Sequence, residues 1–270
     1  MADKNIVKKI IAAAELTPLD TVLEVGPGLG VMTREILPRV ERLVAVELDP
    51  FFVHELRKEF GDKKIEIVEG DILKTRIPDL FVTCNLKPET YKLITNLPYN
   101  ITSAFLKKFL IEPPAPERIV VMLQKEVAER ICTPETCNLK PVTSLLGLMC
   151  NLYAECTPVC KVSAGAFVPP PKVDSMVIRL KPYSAEAFAA KWGLPREASA
   201  KWGIERGFSE DIIAFAAKFF AEPRKKMCGM LGKALREKCQ NALTAIGESP
   251  DSRPAALTIE KWVGLWKKMR

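Results

Sequence analysis

Histidine is nearly absent from this sequence: His54 stands alone among 270 residues. The 8 cysteines show no C-x-x-C spacing; Cys132 and Cys137 lie five apart, and Cys150, Cys156 and Cys160 follow at intervals of six and four. Structural zinc takes paired ligands at tighter spacing, so the pattern points away from a metal and toward reduced, mostly buried thiols. His54 falls in a helical stretch, where a surface or packing role is expected. No apolar run reaches the ~18 residues that a membrane helix needs. The opening M-A-D-K-N-I-V-K-K-I lacks a signal peptide's apolar stretch and carries an early acid, unlike a transit peptide. Residence in the cytoplasm is the expectation.

Net charge is missing from the first two thirds of the chain. Residues 1–180 hold 23 Lys+Arg against 23 Asp+Glu, whereas residues 181–270 hold 17 against 10 and so carry the whole +7. A neutral body with a basic tail points to an anionic partner held by the C-terminal third, the alternative being a solvated helical surface.

What is present reads as an α/β protein. T-V-L-E-V (21–25), L-V-A-V-E (43–47), I-E-I-V-E (65–69), K-L-I-T-N (92–96) and I-V-V-M-L (119–123) have the look of buried strands. Periodic segments such as Pro50–Phe60 and Thr102–Leu110 lie between them. Such alternation predicts a parallel sheet with helices on both faces. Helices over K-E-V-A-E-R-I and S-L-L-G-L-M-C-N-L-Y precede two late strands, near Cys156–Val162 and Met176–Leu180, expected as a hairpin at the sheet's end. After Lys181-Pro182 the β pattern stops. Phe208–Phe220, Arg224–Leu231, Lys233–Leu243 and Thr258–Met269 predict helices, giving domains 1–181 and 182–270.

E-V-G-P-G-L-G (24–30) follows the first strand, and its glycines at 26, 28 and 30 allow a sharp turn with bare main chain facing a ligand. Its spacing differs from the G-x-G-x-x-G of dinucleotide sites. Glu47 ends the second strand, where a carboxylate can accept from ribose hydroxyls. Asp71, in E-G-D after the third, can accept from an adenine amine. Together they outline a pocket for an adenosine without pyrophosphate, and S-adenosylmethionine fits that outline.

T-N-L-P-Y-N (95–100) contains no acid, base, thiol or metal ligand. An amine on a base is a poor nucleophile, because its lone pair is delocalised into the ring. Asn96 offers a side-chain carbonyl, the Leu97-Pro98 turn a backbone carbonyl, and Tyr99 a stacking face for an extruded base. With a reactive methyl donor, a strong general base is unnecessary. F-V-P-P-P-K-V-D-S (167–175) reads first as a stiff, three-proline connection between the late strands; alternatively, Phe167 can supply the other side of a base sandwich and Lys172 a phosphate contact.

The set E-V-G-P-G-L-G, V-E-L-D, E-G-D, N-L-P-Y-N-I-T-S and A-F-V-P-P-P-K-V-D-S, in this order, resembles the ribosomal RNA adenine N6-dimethyltransferases of the KsgA type. F-F-A-E-P-R-K-K-M and R-P-A-A-L-T resemble that family's helical C-terminal domain. The resemblance implies a Rossmann-like, S-adenosylmethionine-dependent enzyme that dimethylates two adjacent adenosines in a hairpin loop near the 3′ end of small-subunit rRNA. It implies a cofactor set of Glu24, Gly26, Gly28, Gly30, Glu47, Leu48, Asp71, Ile72 and Asn96. Asn96, Leu97, Pro98 and Tyr99 would frame the adenine, opposed by Phe167. Lys172, Arg224, Lys225 and Lys226 would meet RNA, the last three at the start of a helix. The partners implied are small-subunit rRNA and the pre-ribosomal subunit, with a monomeric enzyme, no membrane and no metal.

The sequence departs from the family in two places. No Gln-x-Phe-Leu type segment precedes the stretch matching Asp3–Ile10, and the region Cys132–Pro141 lacks the usual glycine-containing loop. Three other readings share features. A large-subunit rRNA methyltransferase of the macrolide-resistance type has the same core, although Leu97 and R-P-A-A-L-T favour the small-subunit enzyme. DNA adenine or protein glutamine methyltransferases more often carry N-P-P-Y or D-P-P-Y. A ribosome-assembly factor would bind RNA and S-adenosylmethionine yet turn over slowly.

Overall fold

The computed structural model describes residues 4–61, 64–84, 90–132, 144–167, 170–194 and 202–270. Cys137, most of the departing 132–141 region, and Val168 and Pro169 of the proline-rich loop lie outside the described residues. The chain divides into two compact units, one of 1–129 with 155–182 and one of 130–154 with 183–270.

In the first unit a seven-stranded sheet has the order β3-β2-β1-β4-β5-β7-β6. The strands are β1 Thr21–Val25, β2 Arg42–Glu47, β3 Ile65–Glu69, β4 Lys92–Thr95, β5 Arg118–Gln124, β6 Ala154–Val162 and β7 Ser175–Pro182. Those of the β3-to-β5 block pair in parallel, and β7 joins β5 antiparallel. The expected parallel sheet is therefore present, and the late strands pair with each other at its end, with β7 between β5 and β6. Registers Val25↔Val46, Val25↔Thr95 and Glu47↔Glu69 align the carboxyl ends of β1, β2, β3 and β4. Chain direction away from β1 reverses between β1 and β4, and ligands of open α/β sheets bind in the crevice at that switch.

Helix α1 (Lys4–Ala14) buries Ile6, Val7, Ile10, Ile11 and Ala14 along one face. They join Met32 and Ile36 of α2 (Val31–Ile36), Leu56 and Phe60 of α3 (Pro50–Phe60) and strand residues such as Val22 and Ile94 in one apolar cluster. Each of these side chains larger than alanine contributes about 1.5–3 kcal/mol by burial. Asp49 caps α3 by accepting the Phe51 N–H at 2.9 Å, and Pro50 occupies the first turn. The other helices of this unit are α4 (Ile77–Thr83), α5 (Thr102–Ile111) and α6 (Lys125–Ile131), the last crossing the boundary between units.

The second unit contains α7 (Leu145–Tyr153), α8 (Ala185–Trp192), α9 (Trp202–Phe220), α10 (Lys233–Ala245) and α11 (Ile259–Met269). A boundary at 182 alone thus misses 130–154, which belongs with the helices. The reasons are local: Trp192 Nε1 donates to the Leu152 carbonyl at 3.1 Å, and Tyr183 N–H to Tyr153 O at 2.9 Å. Phe208 packs edge-on between Phe188 and Trp266, while Phe215, Phe219 and Phe220 surround the fully buried Trp262.

The expected helix Arg224–Leu231 is not there. Residues 221–226 form a turn and Met227–Met230 a single 3-10 turn. Met227 N–H, which a helix would send to residue 223, donates to Ser252 O at 3.0 Å. Lys226 is extended, with its Nζ 2.8 Å from Asp251. Tertiary partners have replaced the intrahelical ones, and Gly229 and Gly232 weaken any helix here.

Beneath the sheet, at the amino ends of its strands, the buried Lys92 Nζ meets Asp20 Oδ2 at 2.7 Å and Glu15 O at 2.6 Å. Glu15, left-handed at φ 48°, also pairs with Arg118 and Arg179 at 2.6 and 2.9 Å. The cluster fastens the end of α1 to β4, β5 and β7. Asp20→Asn strands the Lys92 ammonium and should cost about 2–4 kcal/mol in urea denaturation. Breaking the exposed Arg76–Asp79 pair by Arg76→Ala should cost no more than about 0.5 kcal/mol.

Candidate active site

The glycine turn after β1 is built from left-handed residues: Gly26 has φ 68°, Gly28 φ 56° and Gly30 φ 73°. At Gly30 a Cβ would lie 2.7 Å from the Phe60 ring, so only glycine lets α2 begin so close to α3. At Gly28 a Cβ would meet nothing within 4 Å, leaving open space over the bare backbone.

Glu47 holds this turn in place. Its Oε2 accepts the Gly28 N–H at 3.0 Å, and its Oε1 accepts those of Leu48 at 2.8 Å and Asp49 at 3.0 Å. An ionised carboxylate has about four acceptor positions, so one remains, on Oε2. Leu48 beside it is 66% exposed and presents an uncovered apolar surface. Glu47 O also accepts the Gly70 N–H at 2.9 Å, which brings E-G-D alongside. Asp71 Oδ1 is used by the Leu73 N–H at 2.9 Å, while among the described residues Oδ2 has only Lys74 near it, at 3.7 Å. Ile72 is buried.

Glu24 has no exposure at all. Thr33 donates to its Oε2 at 2.7 Å, and among the described residues nothing donates to Oε1. Desolvation, reinforced by the nearby Glu47 charge, pushes this carboxyl up to about 7.

The N-L-P-Y-N stretch departs from β4 directly against the glycine turn. A Cβ on Gly26 would lie 3.6 Å from Leu97 Cδ2 and 3.8 Å from the Asn96 carbonyl oxygen. Thr95 Oγ1 donates to Val25 O at 2.8 Å and locks the two strand ends together. Leu97 is buried, Asn96 and Tyr99 half-buried, and Pro98 exposed. Among the described residues no hydrogen bond occupies the Asn96 side chain. The Tyr99 hydroxyl is 2.6 Å from Ser175 Oγ.

Other expected residues make none of these contacts among the described residues. Phe167 ends a 3-10 turn and packs, half-buried, on the apolar cluster of α1 and α2; among the described residues its ring does not pair with Tyr99. Lys172 is exposed. Arg224, Lys225 and Lys226 are exposed in the second unit, where Lys225 pairs with Glu222 at 2.5 Å and Lys226 with Asp251 at 2.8 Å. Thr33, Thr95 and Ser175 were missed. Each is an unremarkable hydroxyl in the sequence and gains its partner only by strand and helix packing.

A family model described as ribosomal RNA adenine dimethylase matches residues 1–192. This chain belongs to that family. The ribosomal RNA small subunit methyltransferase A of Thermosynechococcus vestitus is 35% identical over 280 residues, covering 100% of this chain and 94% of the relative. That of Rippkaea orientalis is 41% identical over 274 residues, covering 97% and 92%. Among solved structures, the 23S rRNA methyltransferase ErmE superposes with TM-score 0.72 at 27% identity, covering 99% of this chain and 98% of that one. A dimethyladenosine transferase from Plasmodium falciparum gives 0.71 at 22% identity, covering 98% and 95%, and speaks to the fold alone. The expected family and Rossmann-like methyltransferase fold are both borne out.

Membership in this dimethylase family makes the protonation of Glu24 testable. Unfolded, the carboxyl titrates near 4.5; folded, near about 7. The folded state therefore binds the extra proton, and stability is lost as pH rises from about 4.5 through 7. The loss is at most on the order of 3 kcal/mol. Glu24→Gln should abolish that decline, measured as melting temperature across this window without cofactor. Glu15 and Glu248, both lowered by basic partners, lose their contributions only below the window, as pH falls through their folded values.

Proposed function

We propose that this protein transfers methyl groups from S-adenosylmethionine to the N6 amines of two adjacent adenosines in the 3′-terminal hairpin loop of small-subunit rRNA, during ribosome assembly in the cytoplasm. The observation that carries this reading is the seating of Asn96 and Leu97 against the Gly26 turn. An amide-proline-aromatic stretch with no carboxylate, imidazole, amine or thiol meets the glycine turn.

The residues fit the cofactor. Gly28 offers open main chain, Glu47 one acceptor position for a ribose hydroxyl, and Asp71 Oδ2 an acceptor for the adenine amine. Leu48 and Ile72 supply apolar surface for a flat ring. The cofactor supplies an electrophilic methyl group. The rest falls to the chain: the Asn96 side-chain carbonyl and the Leu97 backbone carbonyl accept the two N–H bonds of the target amine and aim its lone pair. Tyr99 stacks on the extruded base, with Phe167 proposed as the opposing wall. Small-subunit specificity is supported by the relatives' names at 35% and 41% identity, against 27% for the 23S enzyme.

Incubation with labelled S-adenosylmethionine and undermethylated small subunits should place label on two neighbouring adenines. Asn96→Ala should lower kcat about 10²-fold, and Tyr99→Ala should cost about 1–3 kcal/mol of base stacking. Label confined to large subunits would favour the macrolide-resistance reading, and RNA binding without turnover the assembly-factor one.

The second unit is proposed to hold the RNA backbone, with Lys172 adding a contact from the first. No helix begins at Arg224, so helix-end phosphate binding is not available there, and Lys225 and Lys226 must exchange Glu222 and Asp251 for phosphate. Replacing all three by Ala should flatten the dependence of log K on log[salt] by less than three charges' worth. An unchanged slope would remove this turn from the RNA interface.

A further inference from the structure

Ser175 has no exposure, yet it is reached by the proposed active site. It opens β7, and the antiparallel register sets it opposite Gln124, the last residue of β5. Because β5 runs parallel beside β4, the beginning of β7 lies at the sheet edge where N-L-P-Y leaves β4. There the Ser175 and Tyr99 hydroxyls meet at 2.6 Å, across 76 positions of sequence. Ser175 is itself well fixed. Its neighbour Asp174 accepts the Ala164 N–H at 3.0 Å on Oδ1 and the Lys125 N–H at 3.0 Å on its carbonyl.

A ring that only stacked would need no partner for its hydroxyl. Tyr99 is half-buried on a short 3-10 turn, Tyr99–Ile101, which holds the backbone but leaves the ring to its two side-chain torsions. An anchor at the far end of the ring removes that freedom and selects one orientation of its face. We propose that Ser175 is a positioning residue for methyl transfer, whose hydroxyl anchors the Tyr99 phenol and sets the plane on which the target adenine stacks. This rests on Tyr99 being the base platform.

The test uses the full chain, S-adenosylmethionine and undermethylated small subunits under single-turnover conditions. Ser175→Ala and Tyr99→Phe each delete the same bond, so each should slow transfer about tenfold, with cofactor affinity by calorimetry unchanged. The double variant should lose no more than either single one. Should Ser175→Ala fail to fold, Tyr99→Phe, which keeps the ring, carries the test. Additive losses, a wild-type rate in either single variant, or a lowered melting temperature at unchanged rate would overturn the anchor. Tyr99→Ala separates this from the parent reading. If it abolishes transfer while Tyr99→Phe does not slow it, the platform stands and the anchor falls; if it too keeps the wild-type rate, both fall.

Discussion

The carboxylate of Glu47 joins the turns that follow two neighbouring strands. By accepting N–H groups from Gly28, Leu48 and Asp49 it ties the turn after β1 to the turn after β2. Three successive alternate glycines with positive φ are entropically expensive to order, and bonds to a charged acceptor contribute about 1.5–3 kcal/mol each toward holding them. The consequences spread outward. Gly30 is set against Phe60, α2 starts at the correct angle, and Thr33 comes within reach of Glu24. A second ionised carboxylate buried beside Glu47 would oppose this arrangement. The upward displacement of Glu24 to about 7 leaves it only partly ionised near neutral pH.

Opposite this electrostatic half stands a half without carboxylate, imidazole, amine or thiol. Asn96, Leu97, Pro98 and Tyr99 act through shape, an amide dipole and an aromatic face, and such a device works only if its placement is rigid. The rigidity comes from both sides of β4: Thr95 bonds to β1, Leu97 fills the space beneath Gly26, and Tyr99 meets Ser175 of β7. An antiparallel strand next to a parallel block begins where its neighbours end, so β7 delivers a distant residue to the same edge. The two units also divide the charge: the whole +7 lies beyond residue 180.

Much was legible in the sequence because the signals are local. Alternating β-branched runs mark β1 to β5 within a residue or two, glycine spacing marks the turn, and acids at strand ends mark the pocket. Caps are equally local: Asp49, Ser144, Ser184 and Thr258 each accept an N–H at their helix start. Arg224–Leu231 shows the limit. Its pattern reads as a helix despite Gly229, but Ser252 and Asp251, more than twenty residues away, take the donor and the cation that a helix would have kept. Segment 130–154 is another case, drawn to the helical unit by Trp192 and Tyr183.

The sequence by itself therefore determined the chemistry at hand: a glycine turn, acids at strand ends, and an amide-proline-aromatic stretch after β4, all written in residues close together along the chain. Tertiary structure alone decided the strand order, the insertion of β7 between β5 and β6, and the partners of Glu24, Thr95 and Tyr99. The physical reason is distance along the chain. A hydroxyl acquires its meaning from the atom it meets, and for Tyr99 that atom lies 76 residues away, brought near by sheet pairing that no local pattern records.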